Sequence, residues 1–324
     1  MVRRRLSVAM CTYNGARFLQ EQLDSIAGQT RIPDELVVCD DHSSDETAEI
    51  LRVFGPKVPF AVRTEINKQN LGSTKNFEKA IGLCQGEIIA LADQDDIWKP
   101  QKLAVLEKTL ADHPEAGYVF SDAELVDARG EPLGSTLWKL VRFKGSVLRN
   151  FSGSRQVATL LRQCAATGAT MAFRSFLKSI ILPISPYCVH DYWISLLSSC
   201  LGFYGVPVGT RLVSYRQHVG QQLGSHVLSI LEKMRRCRQT EPIKHGNRTE
   251  AYVDLKVRLL AVGKAYPAVH TDLLEEKIVH CHRRVAARSA RGSGKAKRVF
   301  CEVLTGRYAR FSNSWQSAVE DLLF

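Results

Sequence analysis

The sequence predicts an α/β protein, with a mostly parallel central sheet flanked by helices and a basic helical extension at the C-terminal end. Three observations predict it. Apolar runs of strand length alternate with segments of helical spacing, joined by short polar turns, the pattern of a parallel sheet covered on both faces. The run Ile88–Ala92 is apolar throughout, as a strand buried on both faces requires. Finally, three such runs end in polar or acidic residues, Thr12-Tyr13-Asn14, Asp40-Asp41 and Asp93-Gln94-Asp95-Asp96. Open α/β sheets bind their ligands at that carboxyl edge.

Residues 6–11 read as the first strand and Thr12-Tyr13-Asn14-Gly15 as its turn. Phe18, Leu19, Leu23 and Ile26 mark a helix that Gly28 helps to end. Leu36–Cys39 is the second strand. Ser43 and Glu46 have capping-box spacing, so a helix is expected to begin there, with N–H groups suited to phosphate or ribose oxygens. A third strand is expected at Phe60–Thr64, and the turn around Gly72 leads into a helix carrying Phe77, Ala80 and Ile81. Ile88–Ala92 is the fourth strand, and Pro100 suits the first turn of the helix that follows it, 101–112. Gly117–Val126 is a strand. Residues 128–155 mix Gly, Lys, Arg and single aromatics and read as an acceptor-side loop. Gln156–Cys164 is helical in pattern and Gly168–Arg174 strand-like. Pro183 and Pro186 precede His190-Asp191-Tyr192-Trp193, which opens the helix 194–200; Val206–Tyr215 is the last strand and delivers Arg216-Gln217-His218.

With 324 residues the chain has room for one large domain and an appendage. Two regions are expected, residues 1–224 and a basic helical region 225–324. Residues 1–225 hold 25 Lys and Arg against 23 Asp and Glu, whereas residues 226–324 hold 19 against 10. The +11 charge is therefore mostly the tail's. It points to an anionic partner, and basic helices at 226–260 and 270–290 suit an anionic membrane surface; a solvated, packed helical cap explains the same charge. Interleaved stacking aromatics and a reading motif are missing, so no nucleic acid is expected. No window has the roughly 18 apolar residues that span a bilayer. The basic start leads into an apolar run too short for a secretory signal. The nine cysteines contain no CxxC pair, and reduced thiols fit a cytoplasmic protein, peripheral at most on the inner face of the membrane.

Three carboxylates within four positions, Asp93, Asp95 and Asp96, repel one another. A divalent cation with oxygen ligands relieves that repulsion; an acidic turn that caps a helix accounts for the same composition.

Ser7–Asn14, Val37–Thr47, Asn70–Asn76, Asp93-Gln94-Asp95-Asp96, Gly168–Arg174, His190–Trp193 and Tyr215–His218, in that order, resemble glycosyltransferase family 2. Within the family they are most similar to bacterial rhamnosyltransferase-type members. The resemblance covers about residues 5–222 and leaves the tail uncovered. It implies a GT-A fold, a nucleotide-diphosphate sugar donor and a divalent cation, Mg²⁺ or Mn²⁺. Carried over by position, it implies that Thr12, Tyr13 and Asn14 line the nucleotide and that Asp41 bonds the base edge. A helix N-terminus would favour an acidic residue there through the dipole alone, but the place of Asp41 after the second strand favours the binding role. Lys75 would contact phosphate or simply be solvated.

The same resemblance implies that Asp93 faces the donor and that Asp95 binds the cation, with Asp96 as support. His218 would be a further ligand, and its nitrogen leaves room for Mn²⁺. Asp191 is the candidate base that takes the acceptor's hydroxyl proton. Trp193 would form an apolar wall for the acceptor or a core contact. The implied activity is inverting transfer of one sugar, rhamnose by resemblance, from a UDP- or dTDP-sugar to a glycan or lipid-linked acceptor of cell-surface polysaccharide. Neither a Gln-x-x-Arg-Trp motif nor a membrane span is present, which favours single addition over processive synthesis. A catalytically silent nucleotide-sugar-binding scaffold on the same fold is the alternative.

Overall fold

The computed structural model describes residues 4–218, 249–263 and 270–323. The elements β1 (Leu6–Thr12), α1 (Ala16–Ala27), β2 (Glu35–Asp40), α2 (Thr47–Phe54), β3 (Ala61–Ile66), α3 (Ser73–Leu83) and β4 (Ile88–Ala92) alternate as the sequence predicts. They are followed by β5 (Ile97–Trp98), α4 (Lys102–Asp112), β6 (Tyr118–Val126), β7 (Pro132–Thr136), α5 (Leu137–Leu140), α6 (Ser146–Arg149) and α7 (Arg155–Arg162). β8 (Met171–Arg174), α8 (Lys178–Ile181), α9 (His190–Cys200) and β9 (Gly205–Arg216) complete the sheet region. Residues 249–262 form α10, and α11 (Thr271–Arg288), α12 (Gly292–Leu304), α13 (Arg307–Phe311) and α14 (Trp315–Leu323) close the chain.

All the strands among the described residues join one sheet in the order β3-β2-β1-β4-β8-β6-β9-β5, with β7 paired to β6. From β3 to β4 every pairing is parallel. Beyond β4 the sheet is mixed: β8 runs antiparallel to both β4 and β6, β9 is parallel to β6, and β5 and β7 are antiparallel edge pieces. Apolar texture reports burial, not direction, so the sequence carried no sign of this change.

Period-two alternation divides the core. Val8, Met10, Leu36, Val38, Ile88 and Ala90 pack beneath α1, α2 and α4. Ala9, Cys11, Val37, Cys39, Ile89 and Leu91 pack beneath α3, α7 and α9. Both faces are dry, which is why these strands carry no polar alternation.

Three local expectations change. α2 begins at Thr47, not Ser43, because the Ser43 hydroxyl and N–H are both given to Asp40 (2.6 and 2.9 Å). α4 begins at Lys102, two residues after Pro100. Residues 128–155, expected as a loop, hold β7, α5 and α6, with Trp138, Phe143 and Phe151 buried against Phe120. Their ring centroids lie 5.0–6.0 Å apart, mostly edge-on. The isolated aromatics are anchors that fold the segment onto β6.

The C-terminal helices cap the α7–α9 face. Tyr252, Leu255, Leu259, Leu274 and Phe311 join the same core as Trp193 and Leu160. Much of α11's positive charge is turned into this packing. Lys277 donates to the Phe311 carbonyl at 2.8 Å, and Arg284 and Arg288 bind the fully buried Asp321. Most of the stretch 226–260 lies outside the described residues. Among the described residues no helix is long and apolar enough to cross a membrane.

Candidate active site

The parallel registers place Thr12 opposite Asp40 and Met10 opposite Ala92, so the loops after β1, β2 and β4 emerge at one sheet edge. They are tied to each other. The Thr12 hydroxyl donates to Asp40 at 2.7 Å. The Asn14 N–H donates to the Ser43 hydroxyl, and the Asn14 side-chain oxygen accepts from the Ser44 N–H at 2.8 Å. Asn14 and His42 hold left-handed φ of 46° and 68°, a conformation that Asn and His tolerate better than most residues. Gln94 reaches across to grip both the N–H and the carbonyl of Tyr13. A Cβ at Gly15 would lie 2.2 Å from the Gln94 side chain, so only glycine admits this clamp. Thr12 and Asn14 thus spend their side chains on the scaffold, while the Tyr13 ring stays 49% exposed at the loop tip.

Asp41 is buried, and its two oxygens accept from Asn67 Nδ2, Leu71 N–H and Gly72 N–H at 2.7–2.9 Å. Three of its about four acceptor directions are therefore spent on the turn before α3. Lys75 turns to Glu78 at 2.8 Å and to the Ile184 carbonyl at 3.2 Å.

The acidic loop is pinned to the end of β9. His218 Nε2 lies 2.8 Å from Asp95 Oδ2, with side chains 15% and 14% exposed. Arg216, whose role the sequence reading missed, supplies the frame. Its N–H donates to Asp96 at 3.0 Å, its Nε donates to the Asp95 carbonyl at 2.8 Å, and its guanidinium reaches Glu21. The guanidinium also lies over the Phe18 ring, against which His218 packs. Its only sequence signal was a basic residue two places before His218.

A second missed residue is Lys102. It is fully buried, donates to the Ala169 carbonyl at 2.6 Å and sits over the Trp98 ring. Burial pushes its ammonium well below the ordinary range, opposed by Asp96 and Asp93. Burial, followed by the charges of Asp95 and Asp191, pushes the Asp93 carboxyl up to about 7. Burial and the charges of Asp95 and Asp93 raise Asp96 well above the usual range, and its Oδ2 is buried without a partner among the described residues.

No group of three or more His, Cys, Asp or Glu side chains forms a metal cage among the described residues. The Asp95–His218 pair beside the crowded carboxyls of Asp93 and Asp96 does fit a sparse divalent site, whose other ligands would come from substrate oxygens and water.

Asp191 sits in the first turn of α9, where the helix dipole favours an anion. Its oxygens accept from the Gly168 N–H at 2.9 Å and its neighbour Tyr192's N–H at 2.6 Å. A Cβ on Gly168 would meet His190 Nε2 at 2.8 Å. The turn at 168–170 is therefore held from two sides, by Lys102 and by Asp191. His190 stacks on Phe77 at 3.8 Å, and burial lowers its pKa. Trp193 is in the core, its indole N–H donating to the Ile181 carbonyl at 2.8 Å; of its two expected roles, the packing one is seen. Beside Tyr192 a cavity of about 350 Å³ opens between the sheet region and the C-terminal helices. Gln163, Tyr187, Tyr252 and Asn313 are among its walls.

A family model described as Glycosyl transferase family 2 matches residues 7–177. A protein of Mycobacterium tuberculosis described as uncharacterized is 32% identical over 123 residues; the match covers 37% of this chain and 36% of that protein's length. The dTDP-rhamnosyl transferase RfbG of Shigella flexneri is 24% identical over 234 residues, covering 67% of this chain and 74% of that one. Among solved structures, S. aureus TarS 1-349 in complex with UDP-GlcNAc superposes with a TM-score of 0.59 at 16% identity, covering 92% of this chain and 80% of that one. The mannosyltransferase PcManGT from Pyrobaculum calidifontis, in complex with GDP-Man and Mn²⁺, gives 0.54 at 18% identity, covering 100% and 87%. At these identities the structures share the fold, a curled mixed sheet flanked by helices.

Proposed function

The chain belongs to glycosyl transferase family 2, and on that premise we propose that it is an inverting, metal-dependent glycosyltransferase. It moves one sugar from a UDP- or dTDP-sugar to a hydroxyl of a glycan or lipid-linked acceptor, at the inner face of the membrane, in cell-surface polysaccharide synthesis. Residues 1–224 form its catalytic domain and 225–324 its acceptor-side or membrane-side region. The observation that carries this reading is the Asp95–His218 pair, 2.8 Å apart, at the carboxyl edge beside Asp93. The donor complexes of TarS and PcManGT support a nucleotide-sugar donor, and the Shigella flexneri relative supports rhamnose.

Asp95 and His218 would hold the cation. When bound, it neutralises charge developing on the departing nucleoside diphosphate. Tyr13, exposed at the loop tip, offers its ring to the base. Asp93 faces the donor's sugar end. Asp191 takes the proton of the attacking acceptor hydroxyl; its two backbone hydrogen bonds fix the carboxylate so that no reorientation is needed at that moment. Attack from the side opposite the leaving group inverts the anomeric centre. The cavity beside Tyr192, within the range of small-ligand sites of about 300–1,000 Å³, is the acceptor's approach.

The test is a thermal-shift panel of UDP-, dTDP- and GDP-sugars with Mn²⁺ or Mg²⁺, followed by donor hydrolysis without acceptor. A matching donor raises the melting temperature by mass action and is slowly hydrolysed. Binding with no hydrolysis under any condition would leave the silent scaffold.

A further inference from the structure

The helices α12 and α14 pack on each other and sort their residues sharply. Inward go Glu302 and Asp321, both buried. Glu302 meets Arg307 and Arg283 at 3.2 and 3.6 Å, and Asp321 meets Arg284 and Arg288 at 2.6 and 2.5 Å. Outward go large apolar side chains. Phe300 is 63% and Leu304 70% exposed on α12, and Trp315 is 70% exposed on α14, with Val319 and Leu322 also out. The spacing 297, 300, 304 puts Lys297, Phe300 and Leu304 on one flank of α12. The spacing 315, 319, 322 does the same for Trp315, Val319 and Leu322 on α14.

Residues 281–324 contain nine Lys and Arg and three Asp and Glu. Glu302 and Asp321 are met inside by Arg283, Arg284, Arg288 and Arg307, and Arg310 pairs with Glu276. Arg291, Lys295, Lys297 and Arg298 remain against Glu320, so the outer surface, with Arg291, Lys297 and Arg298 exposed, is net positive. We infer that this face of α12 and α14 docks on an anionic phospholipid bilayer, with Trp315, Phe300 and Leu304 seated among the headgroups and Lys297 and its basic neighbours against lipid phosphates. Exposed aromatic and aliphatic residues beside lysine and arginine are what an interfacial helix needs. A second copy of the chain is a poor occupant: two-fold pairing would set this positive face against itself with little acid to answer it. The purpose of such docking, access to a lipid-linked acceptor, rests on the proposed glycosyl transfer; the docking itself does not.

The experiment is co-sedimentation of the full chain with vesicles of phosphatidylcholine alone and of phosphatidylcholine with phosphatidylglycerol. Wild type is expected to bind the anionic vesicles, and less so as salt rises. The double variant F300S/W315S should bind at least about tenfold more weakly, and Lys297→Glu more weakly than wild type. Donor-dependent thermal shift should be unchanged in both, showing an intact fold. Undiminished binding by F300S/W315S, no binding by wild type, or a wild-type dimer that the double variant dissociates would each overturn the inference. If wild type binds vesicles but no donor is bound or hydrolysed, the transferase reading fails while the docking stands.

Discussion

His218 Nε2 stands 2.8 Å from Asp95 Oδ2, although 123 positions separate the two residues. The contact joins the end of the last strand to the loop after the fourth. Arg216 makes it possible by binding the backbone and side chains of the acidic loop from the same strand end.

If this pair holds a divalent cation, Asp95→Ala and His218→Ala should each weaken cation-dependent donor binding by at least about tenfold. Titration of the donor with Mn²⁺ and again with EDTA measures it. Equal donor binding under both conditions in wild type would remove the metal from the mechanism.

Asp191→Asn keeps the side chain's shape and loses the proton acceptor. Donor affinity should stay within about twofold, while transfer falls by about 10²–10⁴-fold. Single-turnover rates on a donor-saturated enzyme give the comparison, and a wild-type rate would exclude Asp191 as the base.

Lys102→Met removes the donor to the Ala169 carbonyl and the amine beside Asp96 and Asp93. A buried acceptor left unsatisfied costs about 1–3 kcal/mol, readable as a lower urea midpoint. Because the 168–170 turn also carries the Asp191 contact, kcat should fall more than donor affinity. A variant as stable and as active as wild type would show that the turn needs no such tie.

The C-terminal cap should be acid-sensitive. His280 is fully buried between Glu302 and Ser312, at 2.8 and 2.9 Å. Burial, then Lys277 and Arg284, lower its pKa to about 3. Unfolded histidine titrates at about 6.5, so below that pH the unfolded chain binds a proton that the folded chain refuses. Stability is therefore complete above about pH 6.5 and falls as pH drops toward 3, by at most about 1.4 kcal/mol per unit. Melting curves at pH 7.5 and 5.0 test this. His280→Gln should be less stable at pH 7.5 and lose less on acidification; an unchanged difference between the two pH values would place the acid sensitivity elsewhere.

Much of the architecture was legible in the chain. The apolar runs located β1, β2 and β4 because strands dry on both faces leave no polar alternation to confuse them. The carboxyl-edge residues Asp41, Asp93, Asp95 and Asp191 were visible as polar punctuation after those runs or at a helix start. The segment 128–155 was not legible, since Trp138, Phe143 and Phe151 are spaced by tertiary packing on Phe120 and follow no local period.

The sequence by itself determined the strand–helix alternation, the sheet edge that carries the acidic residues, the uneven charge and the family. Those depend on local spacing and composition, which survive in one dimension. Only the tertiary structure decided what each polar group is free to do. It spends Thr12, Asn14, Asp41 and Lys75 on hydrogen bonds within the scaffold, sinks Trp193 into the core and brings His218 to Asp95. It also makes Arg216 and Lys102 the buried basic side chains that tie an acidic site together. The physical reason is that hydrogen bonding and desolvation act through distances of a few ångström, between residues that the chain itself keeps far apart.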